Sequence, residues 1–449
     1  LSKEFSDLDQ IQMARIAKKG TQSWLGHIGK KMLIISGIGG AGKTIRILQL
    51  AKQLYEDSSS RILILTYNNA LIANIERLLV LSGINSKQSN DKFIKFRTIH
   101  SFMGDIINKH GIANISKQNF FEQYKTELLD KLSHDIDLLN ESELIEAKGK
   151  FNDKAINYVF VDEGQDTDPR EAKIIERIFD YKNIVVANGI NQEVRETMSF
   201  NWESLLPANI DRKESVFKAK AKRARRMKAN ILSFIKAFAT DELNDDEYLN
   251  VKAIDDAFGG SIHIIENSNL SDSKQKIDEI INKAKHNSSN NSKILNIDIL
   301  LLLQDKKDGE DFVNKLKDYD YEVWNAFSKS ERRSIPKNTN TLRVVPYTSV
   351  RGLEGWSCVL FKFDDFWERA YAKGLDYAKS ESSQKSLFKS ESESAEEFAK
   401  NYAAKWLLIA LTRAVDSLII QIDDRNSYIG KKLYEIHKKS KDYVSWTQN

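Results

Sequence analysis

"KMLIISGIGGAGKT", residues 31–44, decides the fold. A short apolar run, Met32 to Ile35, enters a glycine-rich stretch, Gly37 to Thr44, that fits G-x-x-x-x-G-K-[ST]. The residues that follow, "TIRILQLAKQLYED" (44–57), place apolar side chains at helical spacing. Strand, glycine loop and helix in that order describe a phosphate-binding loop. Glycines let main-chain N–H groups close around a phosphate, and the helix N-terminus adds its dipole. Lys43 is then expected to reach the β- and γ-phosphates of ATP, and Thr44 to hold Mg²⁺. Gly37, Gly39, Gly40, Ala41, Gly42, Lys43, Thr44 and Ile45 form the expected nucleotide cradle. The plain alternative, a glycine-rich turn without a ligand, does not account for the flanking strand and helix.

A phosphate loop needs a second strand that delivers a carboxylate to the metal. "VFVDEGQD" (159–166) supplies one: apolar β-formers stop at the adjacent acids Asp162 and Glu163. Asp162 is expected to bind Mg²⁺ through a water or directly, and Glu163 to polarise the attacking water. That second role is the mark of hydrolysis rather than of nucleotide binding alone.

Around these motifs strand and helix signals alternate. "RILILTY" (61–67), "INYVFVD" (156–162) and "NIVVAN" (183–188) read as buried strands beside residues 31–36. A second series follows: "SIHIIE" (261–266), "NIDILLLL" (296–303), "YEVWN" (321–325), "TLRVVPY" (341–347), "SCVLFKF" (357–363) and "DSLIIQI" (416–422). Short apolar strands separated by helices predict parallel sheets covered on both faces. The expected division is 1–210 and 211–449, with a helical insertion over about 103–155. Two segments, 285–293 and 379–394, read as solvated loops or exposed helix.

The chain has 449 residues, 41% hydrophobic and 29% charged, which fits a globular protein of more than one domain. No apolar stretch approaches the roughly 20 residues that cross a bilayer, so no membrane is expected. Cys358 is the single cysteine, which excludes an internal disulfide and a cysteine metal cluster and points to a reducing, cytoplasmic setting. The start, "LSKEFSDLDQIQ", has no signal-peptide core and no initiator Met, as expected of a partial or trimmed chain. A net charge of +4, from 68 basic and 64 acidic residues, permits a nucleic-acid partner without arguing for one. "RKESVFKAKAKRARRMK" (212–228) holds nine basic residues and one acid, and reads either as a phosphate-contacting stripe or as a solvated helix face.

The phosphate loop followed by D-E-x-Q-D resembles the superfamily 1 helicases, and the remaining motifs resemble the UvrD/Rep branch. "LDQIQ" (8–12) is similar to the family's N-terminal motif, which implies Gln12 at the adenine. "LTYNNALIANI" (65–75) and "RTIHSF" (97–102) resemble the segments that contact single-stranded DNA, implicating Tyr67, Asn68, Thr98 and His100. "NQ" (191–192) stands where the family carries its γ-phosphate-sensing Gln, here Gln192. "RRMKANIL" (225–232) maps a catalytic arginine onto Arg226. "YTSVRGLEGWSCVLF" (347–361) implies Thr348 on DNA and Glu354 at the nucleotide. "LLIALTRAVDSLII" (407–420) maps the arginine finger onto Arg413. The motifs occur in family order from residue 8 to residue 420. The resemblance implies two tandem RecA-like P-loop NTPase domains of α/β class with parallel sheets and an ATP site in the interdomain cleft. It implies an ATP-dependent 3′→5′ helicase or translocase on single-stranded or partly duplex DNA.

Several positions depart from that pattern. Gly164 replaces the usual Ala of D-E-x-Q-D. "NGINQEVR" (188–195) lacks the Gly-Asp pair and has Arg195 where an aromatic stacks on bases; Trp202 or Phe200 stands near as a substitute. Thr348 takes the place of a His and Arg351 that of a Lys. The intervals from His100 to Ile156 and from Arg226 to Tyr347 leave no room for the large insertion of UvrD and Rep. A second expectation therefore stands beside the motor: a nucleotide-gated, DNA-binding ATPase subunit of a nuclease or of a repair or defence complex, with little unwinding. An RNA helicase is a third, less consistent with the "TIHSF" and "ALTRA" segments.

Overall fold

The computed structural model describes residues 6–18, 20–57, 60–84, 92–109, 123–148, 150–151, 154–190, 200–221, 223–243, 250–253, 257–267, 273–286, 294–334, 336, 338–379 and 394–448. The chain divides into two compact units. One comprises residues 13–37 and 43–221, the other residues 1–12, 38–42 and 222–449.

In the first unit six strands form one sheet: β1 (Met32–Gly37), β2 (Arg61–Thr66), β3 (Phe93–Thr98), β4 (Tyr158–Val161), β5 (Ile184–Gly189) and β6 (Val216–Ala221). Their spatial order is β3-β2-β4-β5-β1-β6 and every pairing is parallel. Helices α1 (Lys43–Asp57), α2 (Asn69–Leu81), α3 (Ile99–Lys109) and α4 (Pro169–Phe179) follow β1, β2, β3 and β4. Successive strand residues point to opposite faces, so both faces are apolar. Leu33, Ile35, Ile62, Ile64 and Phe160 pack with Ile47, Leu48, Leu71 and Leu78. Ile34, Leu63, Leu65, Val159 and Val186 pack with Phe102, Ile106, Ile174 and Ile178 on the other face. The insertion is helical over Leu129–Asp135 and Glu141–Lys148, after a π-helical turn at Tyr124–Leu128.

The sheet of the first unit extends past residue 210, where the sequence reading divides the chain. Met32 to Gly37 pair in register with Val216 to Ala221, and those backbone bonds hold the segment in this unit. The basic stretch is correspondingly not a helix face. Among its described residues only Arg212–Ser215 is helical, and exposed and buried residues alternate over Lys218–Ala221 as on an edge strand.

The second unit holds a seven-stranded sheet: β7 (Ser261–Glu266), β8 (Ile299–Leu303), β9 (Val323–Asn325), β10 (Leu342–Pro346), β11 (Gly355–Leu360), β12 (Ala414–Ile422) and β13 (Val444–Gln448). The order is β9-β10-β8-β11-β12-β7-β13, again parallel throughout. Every residue of β8, β11 and β12 is buried, the mark of central strands covered on both faces. Two α/β units with parallel sheets match the fold class the sequence predicts. Residues 287–293 and 380–393, most of the two predicted loops, lie outside the described residues. No helix among the described residues is long and apolar enough to cross a membrane.

Candidate nucleotide and nucleic-acid site

β1 delivers the chain to the glycine loop, and α1 begins at Lys43. The Lys43 ammonium is buried and donates to Gly37 O at 2.9 Å. Thr44 Oγ1 donates to Asp162 Oδ2 at 2.9 Å, which joins the start of α1 to the end of β4. Asp162 is fully buried. Burial, and then the charge of Glu163, raises its carboxyl from 3.8 to about 7, against the pull of Thr44 and Lys43. Glu163 adopts the left-handed backbone region, φ 57°, which turns the chain out of β4 into a short 3₁₀ turn over Gly164–Asp166. Gln165 then braces both sides. Its Nε2 donates to Glu163 Oε2 at 2.7 Å, and its Oε1 accepts from Gly189 N at 2.6 Å, at the end of β5. Gln165 was visible in the D-E-x-Q-D motif, but nothing in the spacing assigns it this bracing role.

At two points of the site a glycine leaves no room for a Cβ. At Gly40, φ is +79°, and a Cβ would lie 2.5 Å from Met227 Cε. At Gly164 a Cβ would lie 2.3 Å from Val186 Cγ1 and 3.1 Å from Trp202 Nε1. The residue that departs from the family pattern thus fits a local need, because Trp202 fills the space. Trp202 is buried and donates Nε1 to Gly164 O at 3.1 Å. It is a core residue and is not available as the base-stacking aromatic that its position suggested. Phe200 packs against it edge-on.

In the second unit the backbone N–H groups of Arg225 and Arg226 both donate to Gly40 O, at 3.1 and 3.3 Å. Three residues from distant motifs meet at Glu354. Gln12 Nε2 donates to Oε2 at 2.8 Å, and Arg226 Nε donates to Oε1 at 2.6 Å. All three are buried. Arg226 also donates Nη1 to Thr412 O at 3.1 Å, beside Arg413. Arg413 is 3% exposed, with Nε on Ile409 O at 2.8 Å and Nη2 on Thr412 Oγ1 at 3.0 Å. Arg343, which no motif singled out, donates to Glu354 O at 2.7 Å. The Cys358 thiol, pushed up to about 12 by burial, feels Arg343, Arg413 and Arg226 in turn. Gln12, Arg226, Glu354 and Arg413, scattered through the sequence, therefore occupy one neighbourhood. Ile45 lies in the first turn of α1 and is half-buried.

The residues expected to touch DNA fall into three groups. Tyr67 and His100 pack ring to edge, 5.3 Å between centroids, just after β2 and β3. Asn68 and Thr98 cap helices: Asn68 Oδ1 accepts from Ala70 N at 3.0 Å, and Thr98 Oγ1 from Ser101 N at 3.1 Å. Thr348 is exposed, in a 3₁₀ turn at the end of β10. Gln192 and Arg195 lie outside the described residues.

Residues 22–196 match the sequence family described as an AAA domain. No curated protein matches the chain. Among solved structures, the chain is similar to the crystal structure of arterivirus nonstructural protein 10 (helicase). That likeness has 10% identity and a TM-score of 0.33, over 89% of this chain and 61% of that one. It is also similar to the same viral protein in complex with DNA, at 11% identity and a TM-score of 0.31, over 89% and 62%. The chain spans less than two thirds of the length of those structures. Likeness at this level carries no weight for activity, and the fold rests on the two parallel sheets themselves.

Proposed function

We propose that this chain is an ATP hydrolase that translocates on single-stranded DNA in the 3′→5′ direction. The observation that supports the hydrolase part of the reading is the pairing of Thr44 Oγ1 with Asp162 Oδ2 at 2.9 Å, from a phosphate loop and a strand-end carboxylate respectively, while the strand and the direction rest on the motif resemblance. Mg²⁺ fits this pair, because both are hard oxygen donors and because the buried Asp162 carboxylate gains from a cation beside it. When bound, Mg²⁺ would be held by Thr44 and Asp162 and would supply positive charge to the β- and γ-phosphate oxygens.

The chain's own residues carry the remaining work. Main-chain N–H groups of Gly37 to Thr44 cradle the phosphates, and Lys43 exchanges Gly37 O for a phosphate oxygen. Glu163, held by Gln165, takes the proton of the attacking water. Arg226 and Arg413 neutralise charge on the transferring phosphoryl group, and Gln192 senses it. Gln12 and Glu354 orient the nucleotide from the buried cluster with Arg226. Tyr67, Asn68, Thr98, His100 and Thr348 face the strand. The test is ATP turnover with and without single-stranded DNA. Stimulation by DNA is expected, and Lys43→Ala should abolish turnover because the loop loses its cation. Normal turnover in that variant overturns the site.

A second reading has its own observation. Asn188 and Gly189 replace the Gly-Asp pair, and Gly189 N is instead bonded by Gln165. Such a chain could hydrolyse ATP as a switch for a partner such as a nuclease. A duplex-unwinding assay run beside the turnover assay separates the two, since the switch hydrolyses without unwinding.

A further inference from the structure

We infer that Tyr124 and Glu171 are positioning residues that orient Tyr67 and His100 as a platform for a nucleobase. This rests on the reading of the chain as a DNA-dependent ATPase. Neither residue belongs to a motif: Tyr124 comes from the helical insertion, and Glu171 from the first turn of α4.

Glu171 is buried, and three donors converge on its carboxylate. Tyr124 Oη donates to Oε1 at 2.6 Å, Tyr67 Oη donates to Oε2, and Asp168 N donates to Oε2 at 3.1 Å. The last bond closes the capping box of α4, whose other half is the Asp168 side chain. A capping box alone needs a Glu at the surface. Here the carboxylate is taken out of water, and burial raises it above its ordinary value. An apolar residue there would take this acceptor away from the Tyr124 hydroxyl and the Asp168 N–H. What the carboxylate adds is direction, because two hydroxyls bonded to one group hold two rings at defined angles.

His100 lies between those rings. Its centroid is 5.3 Å from Tyr67 at an interplanar angle of 66°, and 5.3 Å from Tyr124 at 79°. Both are edge-to-face packings, so the imidazole orientation is set from two sides. Tyr124 and Glu171 are buried, whereas Tyr67 and His100 are partly exposed. The exposed pair follows β2 and β3, adjacent strands in register at Thr66 and Thr98. It stands at the carboxyl end of the sheet, the end where open α/β sheets bind ligands and where the phosphate loop and Asp162 also lie. α4 begins two residues after the D-E-G-Q-D turn, so Glu171 ties the aromatic pair to the helix that follows Asp162 and Glu163 in the chain. Partly exposed rings held rigidly at that place suit the flat face of a base, a contact that is tolerant of sequence.

The test compares the full chain with Tyr124→Phe and Glu171→Gln. Binding is read by fluorescence anisotropy to a labelled oligothymidylate and to an abasic strand of equal length. Both variants should lose affinity for the oligothymidylate by about tenfold, the scale of one base stack, with abasic binding unchanged. ATP turnover without DNA should not change in Tyr124→Phe. Tyr124→Phe removes only a hydroxyl and decides the matter if Glu171→Gln does not fold. Equal losses on both strands mean a structural role and overturn the inference, as does no loss on either. If the unaltered chain binds both strands equally while DNA stimulates its turnover, the ATPase reading stands and this inference alone falls. If it binds neither strand and DNA gives no stimulation, the functional reading fails and takes the inference with it.

Discussion

Asp162 and Glu163 are neighbours in sequence with opposite demands. Under the proposed function Asp162 presents a charge to a cation, while Glu163 takes up a proton. Glu163→Gln keeps the shape and the neighbour and removes only the base. We expect nucleotide and Mg²⁺ binding to survive and turnover to stop; a parallel loss of nucleotide affinity, measured by calorimetry, would make Glu163 a metal or structural residue. Asp162 yields a prediction in pH. Burial and Glu163 raise its carboxyl from 3.8 to about 7. Between those values the unfolded chain carries the charge and the folded chain the proton. The group therefore stabilises the metal-free fold in acid, and that contribution fades as pH rises through about 7. A divalent cation requires the carboxylate, so its binding has the reverse dependence and releases a proton below that value. Mg²⁺ should bind the nucleotide-loaded chain about tenfold more weakly at about pH 6 than at about pH 8. Asp162→Asn should bind weakly at both, and a steep pH dependence in that variant would assign the effect to another group.

At the scale of elements, the short turn between β4 and α4 carries the tightest packing of the site. Gly164 sits under Val186 of β5 and against Trp202. Gly164→Ala should cost about 1–3 kcal/mol in denaturant unfolding, the range for overpacking a filled core. Val186→Ala should relieve it, so the double variant should be less destabilised than the sum of the single changes. Additive costs would mean that the turn moves away and that the glycine answers no packing need. The helix after this turn carries a local start signal that the sequence analysis did not use. Asp168, Pro169 and Glu171 spell a capping box with proline at the first helical position. The second use of Glu171, as acceptor for Tyr67 and Tyr124, was not legible, because those partners come from separate segments.

At the scale of the molecule, the role proposed for Arg413 is open to a direct kinetic test. Arg413→Ala should lower DNA-stimulated turnover on the order of 10³-fold, with nucleotide affinity falling far less. Arg413→Lys should rescue poorly, because an ammonium lacks the planar fork of a guanidinium. Arg413 is buried and bonded to Ile409 O and Thr412 Oγ1, so the alanine variant also loses stability. A thermal melt beside the kinetics separates that loss from the catalytic one. Unchanged turnover in a folded Arg413→Ala chain removes Arg413 from the site.

What the sequence determined by itself was whatever depends on local pattern. Central strands such as Met32–Gly37, Ile299–Leu303 and Ala414–Ile422 are buried on both faces, so they read as continuous apolar runs. The phosphate loop and the D-E-G-Q-D turn are contiguous, and each was readable as a unit. Among the described strands of the two large sheets, three went unread: Phe93–Thr98, Val216–Ala221 and Val444–Gln448. All three are edge strands, whose lysines, arginine and polar residues belong to a margin that faces water and breaks up the apolar signal. The burial of Trp202, the bracing by Gln165 and the meeting of Gln12, Arg226 and Glu354 were decided only by tertiary structure. Each depends on groups brought together across long sequence separations, and no spacing along a chain records which of its distant side chains will compete for one carboxylate.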